Sequence, residues 1–154
     1  GRFPEVRFLA VGIDDTVFLG ELMAMADTAG IQRETIFLGY QQNIQEVMAA
    51  LDIGVIASIG SEEHCRVGLE MMGMARPIVG TRVGAVPEII VDGVTGYLAE
   101  PRDAADLAKG IIVLLSDMEK ARAMGAAGRK RVEENFTLDL CAEKTEKAYL
   151  GAMQ

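Results

Sequence analysis

The sequence contains no tryptophan, only one histidine, only two cysteines, and few aromatic residues, which make up 5% of its 154 residues. Cys65 and Cys141 lie far apart and form neither a metal-binding spacing nor a disulfide framework. We therefore expect reduced thiols, as in a cytoplasmic protein. No apolar run approaches the ~18 residues that a transmembrane helix needs. Residues 1–5 do not form a signal peptide.

Positive charge is also scarce, because 15 Lys and Arg stand against 23 Asp and Glu, for a net charge of −8. This balance argues against nonspecific attraction to nucleic acid or to anionic membranes. Half of the residues are apolar, which is enough for a buried core. The length fits one compact domain over residues 1–154.

Short apolar segments alternate with segments of helical periodicity. The predicted strands cover residues 6–13, 35–39, 53–58 and 77–81, and the predicted helices cover residues 21–29, 44–51 and 67–75. This alternation is typical of a doubly wound α/β domain with a parallel sheet. Because these strands are almost continuously apolar, we expect both of their faces to be covered.

Beyond residue 81, turn signals flank a short predicted strand at residues 97–99, and the chain after Pro101 is predicted to be helical. Asp103 and Asp106 open the first of these helices. Residues 119–134, which include Arg129, Lys130 and Arg131, are predicted to form a solvated helix face because charges of both signs are interspersed. A last amphipathic helix is predicted to pack back on the body through Ala142, Thr145, Ala148 and Tyr149.

Two glutamates follow the third predicted strand. Ligands of open parallel sheets bind beyond the carboxyl ends of the strands, and Glu62 lies in such a loop, with Glu70 about one turn inside the next helix. Carboxylates accept hydrogen bonds from sugar hydroxyls, while the N–H groups at a helix start suit a diphosphate. The alternative is that Glu70 only complements the helix dipole and Glu62 is a solvated loop residue. Spacing alone leaves both readings open.

The loop after the fourth predicted strand, residues 82–90, offers further features of a binding edge. Gly84 allows a close approach of backbone, and Pro87 can begin a short helix. Glu88 then lies at a second helix start beside the same edge of the sheet.

Taken together, these segments resemble the carboxyl-terminal domain of GT-B glycosyltransferases of family 4, the group 1 glycosyltransferases. The resemblance covers nearly the whole chain. It rests on Glu62 and Glu70, on residues 69–79, 83–90 and 92–98, and on residues 37–40 and 52–58 upstream.

The resemblance implies a Rossmann-like sheet and retaining transfer of a sugar from a nucleotide sugar to a saccharide or lipid-linked acceptor. It implies no cofactor and no bound metal. The implied setting is the cytoplasm, at the inner membrane face in the full-length protein, with a role in cell-envelope polysaccharide biosynthesis.

The same resemblance assigns site residues. Glu62 would be the catalytic residue that contacts the donor sugar, and Glu70 would hold the ribose hydroxyls. The Gly39-Tyr40 turn would lie beside the base. The remaining expected binding residues are His64, Cys65, Arg66, Val67 and Glu88. His64 is interpreted as a hydrogen-bonding loop residue, with a general base as the alternative.

The sequence departs from the family in two ways. Where members commonly carry glycine-phenylalanine-glycine, this chain has Glu63, His64 and Cys65. The family pattern also places an amino-terminal acceptor-binding domain, a first strand and a first helix before the residues present here. We therefore expect a fragment whose sheet is rearranged, or is completed by another strand or by self-association. A complete six-stranded sheet would contradict this expectation.

Other classes of protein fit less well. Asp14 and Asp15 imitate the acidic pair of a receiver domain, but the third strand ends at Ser58 without a phosphoacceptor aspartate. Gly12 is not followed by the glycines of a dinucleotide-binding turn. A noncatalytic sugar-nucleotide-binding or scaffold domain remains the main alternative.

Overall fold

The computed structural model describes residues 3–12 and 16–152. The chain divides into two compact units, Gly1–Ile44 and Gln45–Gln154. Asp14 and Asp15, which prompted the comparison with receiver domains, lie outside the described residues.

The first unit is a β-α-β arrangement. Strand β1 (Phe8–Val11) and strand β2 (Thr35–Gly39) pair in parallel, with Phe8 opposite Thr35, and helix α1 (Thr16–Thr28) lies between them in the chain. The Gly12 N–H extends this pairing by donating to the Gly39 carbonyl at 2.7 Å. Helix α1 begins five residues before the predicted start, Glu21.

The second unit contains a three-stranded parallel sheet in the order β3-β4-β5. Helix α2 (Ile44–Ala50) begins at the boundary between the units. The elements that follow are β3 (Gly54–Ile56), α3 (Arg66–Gly73), β4 (Ile78–Thr81), α4 (Val86–Ile89), β5 (Gly96–Ala99), α5 (Ala104–Ser116), α6 (Met118–Asn135) and α7 (Leu138–Ala152). The predicted α/β class, parallel pairing and helical carboxyl-terminal segment are confirmed.

The core of the second unit forms around β4, the central strand. Helices α3, α4 and α5 all pack against β4, and every residue of this strand is buried. Val79 joins Leu114, Ala121 and Met124 in one cluster. Asp103 and Asp117 cap the helices that supply these side chains, accepting from the N–H groups of Asp106 and Lys120.

The expectation that the four apolar strands are covered on both faces is wrong for β1, β2 and β3. Phe8 in β1, Ile36 and Leu38 in β2, and Val55 in β3 are exposed. The burial of an apolar strand depends on whether other elements pack over its two faces. The sequence of the strand does not show which elements do so. The described residues form five strands in two sheets. They do not form the complete six-stranded sheet that would have contradicted the expectation of a fragment.

Helix α7 is predicted correctly as a helix, but the prediction that it packs on the body is wrong. None of its residues is buried, and Leu138 and Tyr149 are 88% and 70% exposed. Helix α7 borders an open cavity of about 760 Å³ that Leu69 and Phe136 also line. None of the described helices is both long enough and apolar enough to span a membrane.

Helix α6 presents the predicted solvated face only in part. Arg129 and Lys130 pair with Glu133 and Glu134 one turn away on the same exposed surface. Arg131 does not belong to that surface. Its Nε donates to the Ile89 carbonyl at 2.9 Å and its Nη2 to the Glu88 carbonyl at 2.7 Å, so it satisfies the end of α4.

The difference between these arginines is testable. Arg131→Met removes two charge-assisted hydrogen bonds, so we expect the free energy of unfolding to fall by about 1–3 kcal/mol in urea titrations. Arg129→Met breaks only an exposed pair on the same helix and should cost less than about 0.5 kcal/mol. Equal losses in the two variants would contradict a capping role for Arg131.

Candidate functional site

The site is built where β3 and β4 end side by side. Ile56 pairs with Gly80, so the loops that follow the two strands leave the sheet at the same edge. Thr81, the last residue of β4, is 3% exposed, and its hydroxyl donates to the Ser58 carbonyl at 2.6 Å. This hydrogen bond fixes the start of the β3 loop to the end of the neighbouring strand.

Glu62 is held through both its side chain and its main chain. The Ser58 hydroxyl donates to Oε2 of Glu62 at 2.8 Å, and the Ala85 N–H donates to the Glu62 carbonyl at 2.8 Å. Ser58 belongs to the loop after β3, and Ala85 to the loop after β4. The loop after β3 therefore holds the half-buried carboxylate of Glu62, and the loop after β4 holds its main chain.

Gly84 makes this arrangement sterically feasible. Its φ is +52°, and a Cβ at this position would lie 2.4 Å from the Glu62 carbonyl oxygen and 2.9 Å from the Glu62 nitrogen. Only glycine adopts this conformation without strain and without a clash. The close approach of backbone expected at Gly84 is confirmed, and the approaching backbone is that of Glu62.

Helix α3 begins with exposed hydrogen-bond donors and a cation. It starts at Arg66, one residue before the predicted start, Val67, and therefore contains a cation as well as Glu70. No side chain caps the helix start, and its first turn contains no acidic residue. The first N–H groups of a helix have no intrahelical acceptor, so those of Arg66 and Val67 and the helix dipole favour an anion here.

Glu70 lies one turn inside α3 and pairs with Arg66 across 3.3 Å. The two side chains are 37% and 84% exposed, so this is a solvated ion pair. Glu62 and Glu70 share no hydrogen-bonding partner within the described part of the chain. Each carboxylate is therefore positioned independently.

Cys65 is the residue that turns the loop into α3. It has a left-handed backbone with φ +44°, although it is not glycine, and its side chain is fully buried. The Gly68 N–H donates to its carbonyl at 3.0 Å. Burial, together with the nearby Glu62 carboxylate, raises the pKa of the Cys65 thiol above its ordinary value of 9.0.

His64 and Glu88 are both exposed. The hydrogen bond expected of the His64 side chain is not made to any residue that the structure describes. Glu88 lies in the short helix that Pro87 was expected to begin, which is confirmed. The Glu88 carbonyl, rather than its carboxylate, receives the hydrogen bond from Arg131.

The Gly39-Tyr40 turn belongs to the first unit and is described by itself. Gly39 has φ +61°, and the Tyr40 side chain is exposed. Within residues 3–12 and 16–152, no group of three or more His, Cys, Asp or Glu side chains is arranged to hold a metal ion.

Sequence reasoning missed three residues that organise the site, namely Ser58, Thr81 and Arg131. Ser58 was read only as the end of a strand, and Thr81 as the end of the next. Their polar side chains at strand ends were a usable signal, because buried hydroxyls seek hydrogen-bond acceptors. Arg131 carried no such signal, since its acceptors lie 42 and 43 residues away.

The chain is similar to proteins of one family. A model of the family described as Glycosyl transferases group 1 matches residues 2–117. N-acetyl-alpha-D-glucosaminyl L-malate synthase of Bacillus anthracis is 35% identical over 133 residues, covering 86% of this chain and 35% of the relative. The chain thus spans about a third of that relative's length.

Two solved structures share the fold. HepE of Anabaena in complex with UDP-glucose superimposes with a TM-score of 0.88 at 24% identity, covering 96% of this chain and 42% of that one. The carboxyl-terminal domain of LpcC, a group 1 family protein from Francisella tularensis, gives a TM-score of 0.80 at 30% identity. That match covers 89% of this chain and 73% of the LpcC domain.

Gly84→Ala tests the packing of the two loops. We expect this variant to lose about 2–4 kcal/mol of unfolding free energy, because it adds both a strained φ and a clash with the Glu62 backbone. Gly93→Ala is the control, since Gly93 also has a positive φ of +74° but open space around its Cβ position. It should lose only about 1 kcal/mol in the same urea titration. A loss at Gly84 no larger than at Gly93 would contradict the close approach.

The two cysteines should differ in reactivity. Cys65 is buried and its raised pKa keeps the thiol protonated, whereas Cys141 is exposed. Because the thiolate is the nucleophile, iodoacetamide at pH 7.5 should label Cys141 at least about a hundredfold faster than Cys65. Mass spectrometry of timed samples measures both rates in one protein. Labelling of both residues at equal rates, without urea, would contradict the burial of Cys65.

Proposed function

The chain belongs to the group 1 glycosyl transferases, and we propose that it forms the donor side of a retaining, metal-independent glycosyltransferase. On this proposal the chain binds a nucleotide sugar. On the same proposal the acceptor is bound by a domain other than this one, since the chain spans only 35% of the length of the Bacillus anthracis relative.

The observation that carries this proposal is the immobilised Glu62 carboxylate. Ser58 holds one carboxylate oxygen, and Ala85 and Gly84 hold the main chain, at the edge of the sheet where α/β domains bind ligands. A solvated loop glutamate would need none of these contacts. An acceptor fixed in this way suits a hydroxyl group whose position must be defined, such as that of a donor sugar.

The start of α3 supplies the complementary chemistry for a diphosphate. It combines the Arg66 and Val67 N–H groups, which have no intrahelical acceptor, a helix dipole without an acidic residue in the first turn, and the Arg66 guanidinium. Glu70, one turn further, offers a carboxylate suited to two neighbouring ribose hydroxyls. Sugar, phosphate and ribose would then be bound in that order by Glu62, the start of α3 and Glu70.

The proposed transfer proceeds on one face of the sugar. The bond from the anomeric carbon to the diphosphate oxygen breaks, and the acceptor hydroxyl oxygen bonds to the same carbon on the face that the diphosphate leaves. The acceptor proton passes to a diphosphate oxygen, so the products are the glycoside and the nucleoside diphosphate. Glu62 orients the sugar and forms no covalent bond with it, and a chelator should leave turnover unchanged.

Other assignments complete the proposal. Glu88 and the backbone at Cys65 contribute to the donor edge of the second unit. The acceptor is a saccharide or a lipid-linked acceptor, and transfer takes place in the cytoplasm or at the cytoplasmic face of the membrane. HepE of Anabaena supports the donor class, since it shares the fold and was crystallised with UDP-glucose.

Binding without transfer is the second candidate. It is favoured by Cys65, because a buried side chain and a strained backbone occupy a position where the family commonly has glycine. Such a loop could hold a nucleotide sugar in a geometry that does not lead to reaction.

Isothermal titration of this chain with UDP, UDP-glucose and GDP-mannose tests the donor site. We expect at least one of them to bind, and Glu70→Gln to raise its dissociation constant about tenfold to hundredfold. This loss corresponds to roughly 1.5–3 kcal/mol for hydrogen bonds to a charged group.

Glu133→Gln is the matched control for this titration. Glu133 also lies in a helix and pairs with an arginine four positions earlier, but it is remote from the proposed site in sequence and lies on α6. It should leave the dissociation constant unchanged. Absence of binding by all three ligands would overturn the donor assignment, whereas binding without sugar transfer in the complete protein would favour the second candidate.

A further inference from the structure

We infer that Ser58 is a positioning residue that sets the orientation of the Glu62 carboxylate toward the donor sugar. This inference rests on the proposed function, because it assigns a role within the same site. Ser58 itself would touch no substrate and would act only through Glu62.

Ser58 is well placed because it is itself immobilised. Its carbonyl accepts a 2.6 Å hydrogen bond from the Thr81 hydroxyl, which also lies 3.4 Å from the Ile56 carbonyl. Thr81 belongs to the buried central strand. The position of Ser58 is therefore determined by the core of the second unit and not by the loop.

Glu62 retains only side-chain freedom once its backbone is fixed. The Ala85 N–H and the packing of Gly84 hold the backbone, but they leave the torsions of a long side chain free. Fixing such a side chain costs up to about 2 kcal/mol of conformational entropy. The 2.8 Å hydrogen bond from the Ser58 hydroxyl orders the side chain before the ligand binds, so this entropy is not lost on binding.

The same hydrogen bond limits what Glu62 can bind. Oε2 is occupied by Ser58, and Oε1 has no hydrogen-bonding partner within the described part of the chain. Glu62 is thus prepared to accept from one sugar hydroxyl in a defined direction. Without Ser58, the carboxylate could rotate and engage either oxygen.

Ser58→Ala in the complete protein tests this role. We expect kcat for sugar transfer to fall about tenfold to hundredfold, the scale of effect for a misplaced catalytic group, with a much smaller change in KM for the donor. Ser58→Thr retains the hydroxyl and should recover most of the lost kcat. A loss in Ser58→Ala that Ser58→Thr does not recover would overturn the assignment to the hydroxyl.

Ser61→Ala is the control, because Ser61 lies in the same loop, is exposed, and makes no side-chain hydrogen bond to a described residue. It should keep kcat within about threefold of wild type, and a similar kcat in Ser58→Ala would overturn the inference. In a Glu62→Ala background, Ser58→Ala should cause no further loss, since residues that act as a unit are not additive. An undiminished further loss would show a role separate from Glu62. If Glu62→Ala alone left transfer unchanged, the proposed function of Glu62 would fail, independently of Ser58.

Discussion

The hydrogen bond from the Thr81 hydroxyl to the Ser58 carbonyl is the constraint on which the candidate site depends. It joins the loop that follows β3 to the last residue of the neighbouring strand β4, at the point where a parallel sheet presents its ligand-binding edge. Ser58 and Ala85 then hold Glu62 from either side. Because Thr81 is buried in the central strand, the Glu62 side chain in the loop is held, through Ser58, by a residue of the core. Sites supported by a rigid element in this way are better ordered than sites built on loops alone.

The sequence predicted those elements that depend on local patterns. Strand β4 was predicted because it is continuously apolar. The turn into α4 was predicted because Gly84 allows a close approach of backbone and Pro87 can begin a short helix. The burial of other elements could not be predicted, since it depends on which partners are available. Strand β2 and helix α7 both have the expected secondary structure, yet Ile36 and Tyr149 are exposed. The hydrogen bonds of Arg131 could not be predicted either, because their acceptors at Glu88 and Ile89 are distant in the chain.

Cys65 shows how a departure from a family pattern is accommodated. The backbone there requires φ +44°, which glycine adopts without strain and other residues adopt at a cost of roughly 1–2 kcal/mol. The Cys65 sulfur lies beside Gly68, where a Cβ would be only 2.8 Å from the sulfur, so a larger residue at position 68 would not fit. Burying that side chain offsets part of the backbone strain. The left-handed backbone conformation before α3 is therefore formed at Cys65, although this residue is not glycine.

The ion pair between Arg66 and Glu70 occupies two of the groups that are proposed to bind the ligand. Exposed pairs at this spacing contribute only about 0.3–0.5 kcal/mol, and this one is long, at 3.3 Å. Hydrogen bonds to a charged partner contribute about 1.5–3 kcal/mol each. A diphosphate at the start of α3 would therefore displace the guanidinium from Glu70 at little cost and free the carboxylate for hydroxyl groups. The pair keeps two charges solvated and ordered in the free protein, and it is too weak to compete with the ligand that both residues are proposed to bind.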